Sequence, residues 1–319
     1  MLEEEIQNAI KELSESGDTD LCENLIRDQE VQSPAIAQAA FEAGIFYPPI
    51  LYQDASPEIR DKLIGLLEQE NGETLEKLHA NDYLIALAMI GDDTVANYFK
   101  KWEEHPKPWR KSLYAGPLEY ASEGGWCIED GQKKSLFYNA CYALEKSENA
   151  APENNLFGGT APQKCPYCDS SYVNMLVIDG RDERLSFLGI NGKIKITYCP
   201  GCLPWTDSIF CRYTEDGEST VISHKGGGGE PCDDEDLLYQ PSFILSKKMV
   251  PKSYCEEFER CAIGGRPAFV DDANYITCPE CGRLMMHLAQ LGTDFTDCGT
   301  HYIQICRDCK IATATYQQT

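Results

Sequence analysis

The chain has 319 residues, 42% hydrophobic and 25% charged, the composition of a globular protein long enough for two domains. Its 28 Lys and Arg face 52 Asp and Glu, a net charge of −24, so a groove for nucleic-acid phosphates or an anionic membrane surface would repel its own ligand and a basic partner is expected. No window approaches the roughly 18 uninterrupted apolar residues of a membrane span, and the start MLEEEIQNAIKEL lacks the basic and apolar regions of a signal peptide, so a cytoplasmic location away from the membrane is expected.

Residues 1–104 read as helical. Apolar residues recur at three- and four-residue spacing, and Ser33-Pro34, Ser56-Pro57 and Gly91-Asp92-Asp93 each set a capping residue before an apolar stripe, twice with Pro at the first helical position. Gly44, Gly72 and Gly91 sit where a left-handed residue ends a helix at least cost. Short helices joined by tight links predict a solenoid-like, HEAT-like domain. Residues 105–159 change character, with HPKPW, Gly124-Gly125-Trp126 and an aromatic-rich helix over about 135–144, and form a connecting helical and linker segment. The polar, Pro- and Gly-rich run 147–162 marks the domain boundary.

Beyond it the pattern turns alternating and β-branched, in YVNMLVI, KIKITY, SIFCRY, HYIQIC and IATATY, which predicts a β-rich domain over 160–319. Residues 1–159 hold 13 basic and 30 acidic residues and 160–319 hold 15 and 22, so the acidity concentrates in the helical part.

Sixteen cysteines in a reducing compartment argue for metal ligation over disulfides. Thirty residues intervene between Cys165-Pro-Tyr-Cys168 and Cys199-Pro-Gly-Cys202, and 24 between Cys278-Pro-Glu-Cys281 and Cys306-Arg-Asp-Cys309. Two thiolates on a tight turn face one ion, the turn's N–H groups stabilise the sulfur charge, and a second turn completes a closed tetrahedral site. Two structural zinc ions in two zinc ribbons are therefore expected. CPYC is also the active-site tetrapeptide of glutaredoxins, which keeps a thiol oxidoreductase using Cys165 and Cys168 as the enzyme alternative. That motif needs a strand before it and a helix after it, whereas GGTAPQK precedes and the β-like YVNMLVI follows. The quartets look like copies of one unit: Gly158-Gly159 precedes the first as Gly264-Gly265 precedes the second, and the offsets between copies are 113 and 107 residues. Two lobes, about 160–225 and 240–319, are expected.

The run Ile263-Gly264-Gly265-Arg266-Pro267, followed by CPECGRLMMHLAQLGTD, GTHYIQICRDC and a final Tyr-Gln-Gln-Thr, resembles the YwqG-like bacterial family of unknown function. More distantly it resembles the eukaryotic family of programmed cell death protein two. The resemblance covers about 150–319. In both families a Gly-Gly-x-Pro turn precedes a short apolar segment ending in Gln, and the eukaryotic members are implicated as chaperones of a basic ribosomal protein. It implies a duplicated β-rich binding scaffold and does not imply catalysis.

Of the other cysteines, Cys22, Cys127, Cys141, Cys211, Cys232, Cys255, Cys261 and Cys298 read as core thiols, with a third site on Cys232, Cys255 and Cys261 as the minor alternative. Among the five histidines, His79, His105, His224, His287 and His301, the last two lie inside the second ribbon, where a complete cysteine set leaves no vacancy. HExxH, GxSxG, GxxxxGK[ST] and GxGxxG are absent. The glycines 226–229 read as a loop between lobes, the acidic run 233–236 as a solvated surface, and Trp102, Trp109, Trp126 and Trp205 as packing residues. The fold class is thus an α+β multidomain chain. Its expected function is that of a non-enzymatic, zinc-stabilised protein-binding scaffold for a basic partner, as an acidic chaperone or adaptor or as an immunity protein against a basic toxin. A nucleic-acid-binding zinc-ribbon protein ranks behind it, since 160–319 has no Lys/Arg cluster with interleaved aromatics.

Overall fold

The computed structural model describes residues 2–69, 77–147, 156, 159–224, 229, 231, 242–257, 259–293, 295 and 299–318. Their contacts fall into two units, Met1–Leu136 and Phe137–Thr319, divided inside the segment read from sequence as a connection over 105–159.

Helices α1 (Leu2–Ser16), α2 (Asp20–Gln29), α3 (Pro34–Ala43), α4 (Pro57–Glu68), α5 (Lys77–Ile90), α6 (Asp93–Glu104) and the single turn α7 (Pro117–Tyr120) build the first unit, and a hairpin of β1 (Trp126–Glu129) and β2 (Gln132–Ser135) follows. Two of the three capping residues act as their positions require, whereas Ser33 precedes α3 without a side-chain cap bond. Ser56 Oγ accepts from the Ile59 amide at 3.4 Å, and Asp92 Oδ1 accepts from the Val95 amide at 2.9 Å. Gly44 and Gly91 close α3 and α5 at positive φ, while Gly72 lies outside the described residues. On α4 the buried Ile59, Leu63, Ile64 and Leu67 form one stripe, with Glu58, Asp61 and Lys62 exposed opposite, and the stripe packs into a core with Tyr52, Leu84, Phe99 and Trp102. Three tryptophans bury their rings and satisfy their indole N–H groups: Trp102 on Glu68 Oε1 at 2.7 Å, Trp109 on the Leu67 carbonyl at 3.0 Å and Trp126 on the Ala88 carbonyl at 2.8 Å. Among the described residues no helix is long and apolar enough to cross a membrane.

The second unit is β-rich. Its strands are β3 (Tyr138–Lys146), β4 (Thr160–Lys164), β5 (Ser171–Asp179), β6 (Lys193–Tyr198), β7 (Ile209–Tyr213), β8 (Ser219–His224), β9 (Phe243–Leu245), β10 (Ala262–Gly265), β11 (Met286–Leu291), β12 (Thr300–Cys306) and β13 (Ile311–Gln317). An antiparallel eight-stranded sheet runs β8-β7-β13-β12-β11-β10-β3-β9, and β4-β5-β6 form a three-stranded one. All five runs predicted as strands are strands.

One expectation is corrected. The aromatic-rich stretch over 135–144 contributes a strand, β3, not a helix. Its Tyr138 and Tyr142 rings pack on Phe187 with centroids 5.4 and 6.4 Å away, and Cys141 packs against Cys255 and Ala262. Side chains two apart share a strand face, so the spacing of Tyr138 and Tyr142 serves a strand as well as a helix. The segments 160–225 and 240–319, expected as lobes, share one sheet, since β7 pairs with β13 from Ile209↔Ala314 to Arg212↔Ile311. Around the two quartets the order of elements is the same: strand, CxxC turn, two strands, CxxC turn, strand, as β4 to β7 and as β10 to β13.

Gly264 and Gly265 both take φ of +75°, at a register shift between β10 and β3. A Cβ on Gly264 would stand 2.1 Å from the Ala140 carbonyl oxygen, and one on Gly265 would stand 2.7 Å from Cys141 Sγ. Left-handed backbone and close approach to β3 thus both demand glycine here. Ahead of the first quartet Gly159 also has positive φ but meets no such neighbour, and Gly158 lies outside the described residues.

Candidate metal centres

The first CxxC turn links β4 to β5 and the second follows β6. On the first, the Cys165 amide donates to the Ser170 carbonyl at 2.9 Å and the Asp169 amide donates back to the Cys165 carbonyl at 3.0 Å, while Asp169 itself is left-handed at φ 60°. The third turn, which leads into β11, repeats this: Cys278 N–H to the Arg283 carbonyl at 2.8 Å, Gly282 N–H to the Cys278 carbonyl at 3.0 Å, and Gly282 at φ 72°. On the fourth, between β12 and β13, Lys310 takes the same position at φ 54°. In three of the four turns the residue after the second cysteine is therefore left-handed, which curls the chain so that both sulfurs point to one side. The second turn differs: after Cys202 the chain enters a short 3-10 turn, Leu203–Trp205, with the Leu203 amide donating to the Cys199 carbonyl at 3.1 Å.

These turns bring all eight predicted cysteines into two groups, Cys165, Cys168, Cys199 and Cys202, and Cys278, Cys281, Cys306 and Cys309, with the sulfurs of each group within 4.8 Å of one another. Cys165 and Cys202 are 3.7 Å apart, Cys168 and Cys199 3.4 Å, and Cys281 and Cys306 3.8 Å. A disulfide needs about 2.05 Å. Four sulfurs about 2.3 Å from a tetrahedral zinc stand about 3.8 Å apart, so the spacing and the all-thiol donor set both fit that ion.

The first group is wholly buried. The Tyr167 amide donates to Cys165 Sγ at 3.4 Å, and the Ser170 hydroxyl lies 3.2 Å from Cys168 Sγ. Burial works to raise the Cys168 thiol, but hydrogen bonds from the Ser170 hydroxyl and amide and from the Cys199 and Cys202 thiols outweigh it and bring it down to about 7. Cys202 goes the other way, pushed up to about 12 by burial and by its thiol neighbours Cys168 and Cys165. Cys168 gives up its proton readily while burial and the neighbouring thiols push Cys199 and Cys202 up, so a cation in place of those protons would stabilise the thiolate forms.

The second group has a different setting. Cys278 is buried, Cys306 and Cys309 are half-buried and Cys281 is exposed. The Arg283 amide and guanidinium bring Cys281 down to about 6, and the same guanidinium pairs with Asp308, tying the third turn to the fourth. Arg212 on β7 donates to the Cys309 carbonyl at 3.2 Å and pairs with Glu280. Cations thus sit around this group, where they would offset the charge of four thiolates on a bound ion.

Sequence reasoning missed the side chains that hold the approach to the third turn. Gln290 Oε1 accepts from the Ala268 amide at 2.9 Å and Gln317 Oε1 from the Val270 amide at 2.9 Å; Gln304 accepts from the Ile276 amide at 2.8 Å and donates to the Asn274 carbonyl at 2.7 Å. A single glutamine inside each of the apolar runs of β11 and β12 was the available signal. These side chains satisfy the backbone of a part-buried irregular segment.

His287 and His301 belong to neither group. Both are buried on the central strands, and burial lowers them to about 3 and about 4, so both are neutral. Cys22, Cys141, Cys211, Cys255 and Cys261 are buried and Cys127 is half-buried; Cys232 and Cys298, the glycines 226–228 and the acidic run 233–236 lie outside the described residues. Among the described residues Cys255 and Cys261 join no metal-holding group. Trp205 departs from the packing expectation, being 69% exposed beside the first group. Cys168 is followed by β5, where a thioredoxin-like dithiol would open a helix.

No protein-family model and no solved structure matches this chain. It is similar to the uncharacterized protein YpfL of Salmonella typhimurium, 28% identical over 286 residues, or 85% of this chain. The match spans 65% of that relative's length.

Proposed function

We propose that each group of four cysteines holds one structural zinc ion and that the chain is a non-enzymatic, acidic scaffold of the chaperone or adaptor kind, which binds a basic protein in the cytoplasm. The observation that carries this reading is the pair of closed all-cysteine groups in a chain of net charge −24. Zinc in such a site supplies a cross-link between turns and no open coordination position, which favours a rigid binding body over a catalyst. Each divalent ion with four thiolates carries −2, so loading adds to the acidity instead of relieving it. A long-range negative field steers basic partners and repels nucleic acid. The solenoid-like reading of the helices, the duplication of the β-rich half and the motif resemblance to the YwqG-like and programmed cell death protein two families all support a binding role.

The test is affinity capture from the native host at low salt with the zinc-loaded full-length chain. A basic protein that is retained at low salt and released by moderate salt is expected. RNA or DNA that survives moderate salt with no basic protein present would overturn the reading.

A further inference from the structure

The two groups share an all-cysteine ligand set but differ in access. Attack on a zinc-bound thiolate requires the incoming reagent to touch the sulfur. In the first group Cys165, Cys168, Cys199 and Cys202 are between 0% and 5% exposed, so no reagent reaches a sulfur without opening of the surrounding strands. In the second group Cys281 lies at the surface on a turn whose tip is open, and Cys306 and Cys309 are half-buried. Only Cys278 is anchored in the interior, at 1% exposure, beside Met285 and Ile311.

We propose that Cys281 is a modification site for soft electrophiles, through which the second centre gives up its metal while the first centre keeps the β-rich unit folded. With a maleimide the step balances without an oxidant. The Cys281 sulfur forms a C–S bond to one alkene carbon with the electron pair it had lent to zinc, the alkene π bond breaks, the neighbouring carbon takes a proton from water, and the Zn–S bond is lost. The thioether is a poor ligand and leaves three cysteines on the ion. The ion then departs to any competing chelator. Modification at the first centre waits on opening of the β5 and β6 strands, which makes it slower by at least about 100-fold.

The inference rests on the two-zinc reading, and zinc analysis before any reagent is added tests that reading by itself. The experiment takes the full-length, reduced protein shown to contain two zinc ions per chain, adds N-ethylmaleimide with a chromogenic zinc chelator present, and maps adducts by mass spectrometry at successive times. One zinc ion is expected to leave in a fast phase that coincides with the adduct on Cys281, and the second to stay until the protein is denatured. Release of both ions at one rate, or a first zinc-releasing adduct on Cys165, Cys168, Cys199 or Cys202, would overturn the proposal. Cys281→Ser should lack the fast phase. A Cys281→Ser chain that still releases zinc as fast as the wild type would refute the assignment, and the wild-type kinetics and map stand if that variant fails to fold.

Discussion

Glu68 is the most heavily used carboxylate of the helical unit, and its replacement by Gln gives a prediction with both size and sign. Its oxygens accept from Lys101 at 3.1 Å, the Trp102 indole at 2.7 Å and Lys107 at 2.6 Å. Burial works to raise its pKa, but the bonds from Lys107, Trp102 and Lys101 outweigh it and hold the carboxyl at about 2, against an ordinary 4.5. Taken at face value that displacement is worth about 3 kcal/mol. The side chain keeps 28% of its exposure, so water screens part of it, and about 1–2 kcal/mol is the expected cost of Glu68→Gln at pH 7. The folded-state pKa is depressed, so this stability is fully present above about 4.5 and is lost as pH falls through about 2. The gap between wild type and variant should therefore close over that window, where protonated Glu and Gln become alike. Urea unfolding of the full-length chain, followed by tryptophan fluorescence at several pH values, measures it, because Trp102, Trp109 and Trp126 all lie in this unit. Protonation of the cysteine groups is common to both chains and cancels in the difference. Equal stability at pH 7, or a gap unchanged at pH 2.5, would refute the reasoning.

Asp92→Ala removes both the cap on the Val95 amide and the 2.6 Å partner of Arg60, and should lower the stability of the helical unit by about 1–2 kcal/mol in the same urea assay, with Asp92→Asn recovering part of it. Gly265→Ala forces a Cβ to 2.7 Å from Cys141 Sγ and 2.9 Å from the Lys252 carbonyl at positive φ, and should cost about 2–4 kcal/mol in the β-rich unit by near-ultraviolet circular dichroism melting; a change under 0.5 kcal/mol would contradict the close approach described. Cys199→Ser, at a fully buried position of the first centre, should remove about one zinc ion per chain and the cooperative melting of the β-rich unit together, whereas a folded variant that retains full zinc would count against ligation there.

Most helix boundaries and the two cysteine groups were legible in the sequence because each is set locally. Ser56, Asp92 and Gly44 act within one turn of their own position, and a CxxC pair carries its geometry in four residues. The pairing of β7 with β13 joins Arg212 to Ile311, nearly a hundred residues on, and no local pattern encodes it. β3 was misread for the same reason: its Tyr138, Cys141 and Tyr142 gain their partners from Phe187, Cys255 and the glycines of β10. Access to the cysteine groups was equally hidden, since CPYC and CPEC look alike in sequence while Cys168 is buried and Cys281 exposed. The side-chain bonds of Gln290 and Gln304 to the irregular backbone before Cys278 likewise depend on tertiary placement.

The most direct measurement is zinc K-edge X-ray absorption on the reduced, full-length protein, combined with elemental analysis of the same sample. Two zinc ions per chain, each with four sulfur neighbours at about 2.3 Å and no nitrogen or oxygen in the shell, are predicted. Less than about one zinc ion per chain, or a shell that includes histidine nitrogen or water, would contradict the assignment of the two cysteine groups as closed structural centres.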